Sequence, residues 1–334
     1  MTLPDLWFLL IALFFTGYFV LDGFDFGVGM SLPFLGRDDT DRRVLINTIG
    51  PVWDLNETWV IVAGASLFAA FPEWYATVFS GFYLPMLFIL LALILRGVSF
   101  EYRHQRPDHR WKRNFDTMIF VGSVVPAFLW GFVFANIVRG MPLDAHFDYI
   151  GSFGDLWNAF SILGGLATLM LFFTHGLVFV SLKTDGEIRV RARKLAVRAG
   201  VATVVVAGAF LVATLVAHGN TLSLILTLAT VVALVVAFVA NLRGREGVAF
   251  AFMAVTIALT VATLFATLFP NTLVATNDPA NTMTIANSAS AHYTLELMSW
   301  ISLVFVPLIL AYQGFTYWIF RKRVTRAHIA AAAH

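Results

Sequence analysis

Apolar runs of about 20 residues recur along this chain, each long enough to cross a hydrocarbon layer of roughly 30 Å. They fall at about 6–35, 53–71, 75–96, 116–139, 155–182, 196–217, 222–241, 247–268 and 295–320. Inside a bilayer every backbone polar group must be satisfied within the span, so such runs leave the helix as the available conformation. The expected fold is an all-α integral membrane protein with nine spans. The count of four, four and one permits two four-helix bundles plus one extra helix. Only 13% of residues are charged, about half the share of a soluble domain. No connection is long enough for a soluble domain, so residues 1–334 read as a single polytopic unit. The apolar start lacks a basic n-region and a cleavage site, and reads as a retained first helix.

The basic residues orient these spans. Of 22 Lys and Arg, all but Arg139 lie after spans one, three, five and seven or in the C-terminal tail, counting Arg96 at the inner end of span three. Basic loops stay cytoplasmic, which places the N-terminus outside and the C-terminus inside. The longest outer connection, 269–294, contains no Lys or Arg. It carries Leu273, Val274, Met283 and Ile285 and is expected to be ordered. The net charge of +2 gives no case for nucleic acid. The absence of cysteine excludes thiolate-held metal centres and disulfides.

Acidic side chains interrupt the first two spans. In DGFDFGVG, residues 22–29, Asp22 and Asp25 are three apart and so share a helix face, while Gly23 and Gly27 allow a second helix to approach closely. Two acids at such range cannot both ionise cheaply, so one is expected to hold its proton. Intramembrane acids mark proton or ion routes by default. In WDLNETW, residues 53–59, Asp54 and Glu57 open span two at the cytoplasmic mouth. They read either as dipole-favoured first-turn acids or as an entrance feeding Asp25 and Asp22. Arg96 lies near Glu101 in LRGVSFEYR and either pairs with a buried carboxylate, Glu101 or Asp25, or snorkels to the interface. Tyr312, Tyr317 and Trp318 read as interfacial anchors, and Pro307 as a kink site. His175 and His218, the histidines in or beside spans, have no companion motif. Each reads as a hydrogen-bonded side chain in preference to a haem ligand.

These stretches, in order and spacing, resemble subunit II, the small subunit, of cytochrome bd-type quinol oxidases. DGFDFGVG (22–29), FLGRDDTDRRVLINTIGPVWDLNETW (34–59), LFAAFPEWYATVFSGFY (67–83), RGVSFEYR (96–103), FPNTL (269–273) and TLELMSWISLVFVPLILAYQGFTYW (294–318) carry the similarity. It is dense over 18–136 and 269–320 and thin over spans six to eight. The resemblance implies a multi-pass protein of the bacterial cytoplasmic membrane, paired with a homologous large subunit. That partner would hold low- and high-spin haem b, haem d and the quinol site. The complex would oxidise quinol, reduce O2 to water and draw its protons from the cytoplasm, which makes the reaction electrogenic. Small accessory subunits and a structural quinone in this subunit are further implications. Carried onto this chain, the proton path comprises Asp22, Asp25, Trp53, Asp54, Glu57 and Glu101, with Arg96 as a supporting ion-pair partner. Glu57 stands where family members can carry a neutral residue. From the acids alone, a proton-coupled transporter and a purely structural membrane partner remain open.

Overall fold

A computed structural model describes residues 2–331. The first helix, α1 (Leu3–Leu35), is the axis of the molecule. At 1.5 Å per residue it is about 50 Å long, which exceeds one crossing as the sequence predicts. Thr2 and Asp5 cap its start reciprocally. Its second half, from Asp22 to Leu32, is buried without a break.

The remaining helices are α2 (Asp39–Ile49), α3 (Trp53–Ala70), α4 (Pro72–Gly81), α5 (Tyr83–Tyr102), α6 (His109–Arg139), α7 (Ala159–Lys183), α8 (Gly186–His218), α9 (Thr221–Leu242), α10 (Glu246–Leu268), α11 (His292–Ile319) and α12 (Arg326–Ala331). Among the described residues eight helices are long and apolar enough to cross a membrane: α1, α5 to α11. α3 is not among them, because its first turns carry Asp54, Asn56 and Glu57. The predicted span at 75–96 is corrected: the chain breaks at Phe82 into α4 and α5. Pro72 opens α4, where a missing N–H costs nothing, so this segment forms its own short helix beside α3. Pro307 lies inside a continuous α11.

α1 packs against α3, α6, α7 and α10, while α5 lies on α6, α8 on α7, and α9 between α8 and α10. Lipid tails are as apolar as leucine, so close backbone approach holds such helices together where water would not. At the α1–α7 crossing, a Cβ added to Gly27 would lie 2.1 Å from the Phe172 carbonyl oxygen and 2.6 Å from Gly176 Cα. The glycine pair inferred from DGFDFGVG is thus a contact with α7. α11 is the outlier: of its 28 residues, only Leu295, Gln313 and Thr316 are buried.

Ion pairs gather the basic segments on one face. Asp41 accepts from Arg191 and Arg326, each at 2.6 Å. Asp116 is bound by Arg103 and Arg42, Asp39 by Arg103 and Lys112, and Glu246 by Arg189. These bonds tie α2, α6, α8, α10 and α12 into one ionic face. The opposite face is built from 140–158 and 269–291. There β1 (Asn271–Leu273) pairs antiparallel with β2 (Met283–Thr284). Leu273, Met283 and Ile285 are buried, so the long loop is ordered as expected. Ser290 donates to the carbonyls of Ala69 and Ala70 at the end of α3, so α3 runs from the ionic face to this one.

Candidate proton site at the junction of α1, α3 and α5

Arg96 of α5 is fully buried and meets two carboxylates through one nitrogen. Its Nη2 donates to Asp22 Oδ1 at 2.7 Å and to Glu57 Oε2 at 2.9 Å. Its guanidinium lies 4.3 Å from the centroid of the Phe26 ring. Gly122 of α6 makes room for it, since a Cβ there would stand 2.9 Å from Arg96 Cβ. Arg96 therefore pairs with Asp22 and Glu57, and neither Glu101 nor Asp25 is its partner. Glu101 is exposed. Five residues of helix put it about 140° around the axis from Arg96, which explains the correction.

Asp25 is equally buried but has a different neighbour. Asn56 Nδ2 donates to Asp25 Oδ2 at 2.8 Å and reaches the Leu21 carbonyl at 3.4 Å. Asn56 Oδ1 accepts from Gln313 Nε2 at 2.9 Å and from the Tyr317 hydroxyl at 2.8 Å. The second oxygens of Asp22 and Asp25, and the Arg96 Nε and Nη1, have no protein partner. Two carboxylates thus share one guanidinium, and a third, Asp25, is buried with only an amide donor. Burying that much uncompensated negative charge is expensive, and binding a proton in the cluster offsets the cost.

Exposure falls from Asp54 through Glu57 to Asp22 and Asp25. Asp54 is exposed, with only its carbonyl engaged, by Thr58. The Glu57 side chain is 22% exposed, and Asp22 and Asp25 are at 0%. Trp53, next to Asp54 in the chain, packs on α5, its ring 5.2 Å from that of Phe100. α3 thus arranges acids from the surface inward on consecutive turns. The first turn alone would have satisfied the dipole reading for Asp54, but it does not account for Glu57 or Asn56.

Sequence reasoning missed Asn56, Gln313 and the role of Tyr317, which is a hydrogen-bond donor to the site instead of a surface anchor. Their partners lie more than 250 residues apart, and no local pattern links them. The one available signal was the run of polar residues in WDLNETW.

No group of three or more His, Asp or Glu among the described residues is placed to hold a metal. His175 Nε2 is engaged by the Val20 carbonyl at 3.1 Å, and its ring stacks on Phe250 at 4.7 Å. That hydrogen bond occupies Nε2, and Phe250 covers one face of the ring. An open groove of about 410 Å³ lies between α3 and α11, lined by Phe14, Leu55, Trp59, Val62, Val306 and Ile309 among others. Its character suits a hydrocarbon chain.

The sequence of residues 3–320 matches the family model for cytochrome bd terminal oxidase subunit II. The chain belongs to that family. It is 41% identical over 329 residues to cytochrome bd ubiquinol oxidase subunit 2 of Bacillus subtilis (strain 168), covering 97% of each chain. It is 34% identical to cytochrome bd-I ubiquinol oxidase subunit 2 of Escherichia coli (strain K12), covering 98% of this chain and 97% of that one. The fold is that of a chain of the bd oxidase from Geobacillus thermodenitrificans, with a TM-score of 0.76 at 16% identity over 96% of this chain and 99% of that one. As a member of the subunit II family, the chain is part of a respiratory oxidoreductase complex.

Outside the membrane, the ionic face shows how the acids there are held charged. Asp38 is held below the ordinary carboxylate value of 3.8, first by the Asp41 backbone N–H and then by Arg326. For Asp39, burial opposes ionisation, but Lys112 and Arg103 outweigh it and the carboxyl is again lowered.

Proposed function

We propose that this chain is the small subunit of a quinol:O2 oxidoreductase of the bacterial cytoplasmic membrane, and that its α1–α3–α5 junction supplies protons to the oxygen-reducing site of a larger partner subunit. The observation that carries this reading is the buried cluster of Asp22, Asp25, Glu57 and Arg96, continued to the surface by Asp54. A structural partner would need one salt bridge to join its helices. It would not need two acids on one cation and a third buried acid with no cation of its own, nor polar atoms left without protein partners.

The ionic face is the cytoplasmic face in this reading, since it collects the Lys and Arg that resist translocation. Asp54 and Glu57 then open toward the cytoplasm, and nine helices, α3 included, join the two faces. α1, α3, α5 and α6 form one bundle and α7 to α10 a second, with α11 on the outside. The haem b groups and haem d belong to the partner, as do the quinol and O2 sites. Within this chain the side chains accept, hold and pass a proton at carboxyl oxygens. Asp54 and the partly exposed Glu57 meet water, Arg96 keeps Asp22 and Glu57 in reach of each other, and Asp22 and Asp25 are the fully buried acids. Trp53 walls the entrance. Glu101, exposed and away from Arg96, has no part in this path.

The test is turnover of the purified oxidase carrying Asp25→Asn or Asp54→Asn, with haem content measured alongside. Slowed O2 reduction at normal haem content supports proton supply. Normal turnover in both variants refutes it, and joint loss of haem and turnover assigns the acids to assembly.

A further inference from the structure

We infer that Asn56 is a positioning residue for Asp25, and that the Trp59 indole fixes its orientation through Gln313, so that Asp25 takes and gives its proton at Oδ1. This rests on the proton-supply reading of Asp25.

The argument is donor and acceptor accounting. An indole N–H only donates and a backbone carbonyl only accepts. Trp59 Nε1 reaches Gln313 Oε1 at 3.4 Å, so Gln313 turns its NH2 the other way. That NH2 donates to Asn56 Oδ1 at 2.9 Å, and the Tyr317 hydroxyl donates to the same oxygen at 2.8 Å. Asn56 must then turn its own NH2 toward α1, where the Leu21 carbonyl and Asp25 Oδ2 accept it at 3.4 and 2.8 Å. Reversing Asn56 would set its NH2 against the Gln313 NH2 and its oxygen against the Leu21 carbonyl. The chain from Trp59 to Asp25 is therefore polarised in one direction, fixed by a donor-only group at one end and an acceptor-only group near the other.

Asp25 Oδ2 meets a donor that cannot become an acceptor, so it stays an acceptor whether or not Asp25 is protonated. The mobile proton is confined to Oδ1, the oxygen with no protein partner. The arrangement also ties Asp25 to α11. Gln313 is one of only three buried residues of that helix, so the seating of α11 is felt at the carboxyl through two amides.

Infrared difference spectroscopy of the assembled oxidase tests this. The Asp25 band, carboxyl or carboxylate, is the one that Asp25→Asn abolishes. In Asn56→Leu, the carboxyl band is expected at higher wavenumber because its C=O has lost a donor. Proton uptake should also fall by roughly ten- to a hundredfold, the scale of one hydrogen bond to a charged group. Trp59→Phe and Tyr317→Phe should shift the band the same way by less. An Asp25 band at its wild-type position in Asn56→Leu overturns the inference, as does a spectrum with no Asp25-dependent band. Should Asn56→Leu fail to assemble, an unmoved band in Trp59→Phe overturns it equally. Normal proton uptake in Asp25→Asn would instead sink the proton-supply reading, and the band shift would still judge the role of Asn56.

Discussion

Replacing Arg96 with methionine keeps the approximate length and removes the cation that pairs with Asp22 and Glu57 at the α1–α3–α5 junction. Asp22, at 0% exposure, and Glu57, at 22%, then face each other without a counter-ion. Removing one partner of a buried ion pair typically costs about 3–5 kcal/mol, or roughly two to three and a half orders of magnitude in an equilibrium constant. In a protein of this size that amounts to a fall of roughly 6–10 °C in thermal midpoint, at about 2 °C per kcal/mol. The assay is thermal unfolding of the detergent-solubilised oxidase, followed by subunit dissociation. The double variant Arg96→Met with Asp22→Asn should regain most of the loss, because the stranded charge is gone while Glu57 keeps its access to water. A single variant as stable as wild type, or a double variant no better than the single, would show that Arg96 does not hold these carboxylates.

Gly27→Ala should impair assembly, because its new Cβ would meet α7 backbone that cannot swing away, whereas Gly64→Ala, with nothing within 4 Å, should be neutral; yield of intact oxidase measures both. On the ionic face, Asp38 has a folded value below 3.8. Its contribution to docking Arg326 is therefore complete above that pH and lost as pH falls through the folded value. The protection factor of the Val324 amide, which donates to the Lys183 carbonyl, should stay unchanged from pH 7 to 5 and fall below about 4 once exchange is corrected for its intrinsic pH dependence. Glu101→Gln should leave O2 reduction within error of wild type, while Glu57→Gln, which removes one of the two negative charges paired with Arg96 and its titratable proton, should lower it measurably; steady-state oxygen consumption separates them.

Helix positions were legible in the chain because the bilayer leaves few alternatives, and the ionic face was legible because basic residues follow topology. The break at Phe82 was not, since residues 75–96 read as one continuous apolar run. Asp22 and Asp25 announced themselves as acids in a hydrocarbon run, but their partners come from different helices. Asp22 takes Arg96 from α5, and Asp25 takes Asn56 from α3. Proximity in sequence pointed from Arg96 to Glu101, and helix geometry turned that residue away. Tyr317 looked like a belt residue because its ring sits among Tyr312 and Trp318. Only the packing of α11 against α3 turns its hydroxyl inward. What a sequence hides in such a protein is the choice of cross-helix partner, because each helix alone satisfies its own backbone.

The central claim is that Asp25 passes protons taken up from the ionic face. Single-turnover proton uptake by the oxidase in oriented liposomes, measured with a pH dye on that side, tests it most directly. In Asp25→Asn, with haem content at the wild-type level, uptake and the O2-reduction step that depends on it should slow together by at least about a hundredfold, the lower range for loss of a positioned proton-transfer group. Uptake at the wild-type rate in that variant would contradict the account.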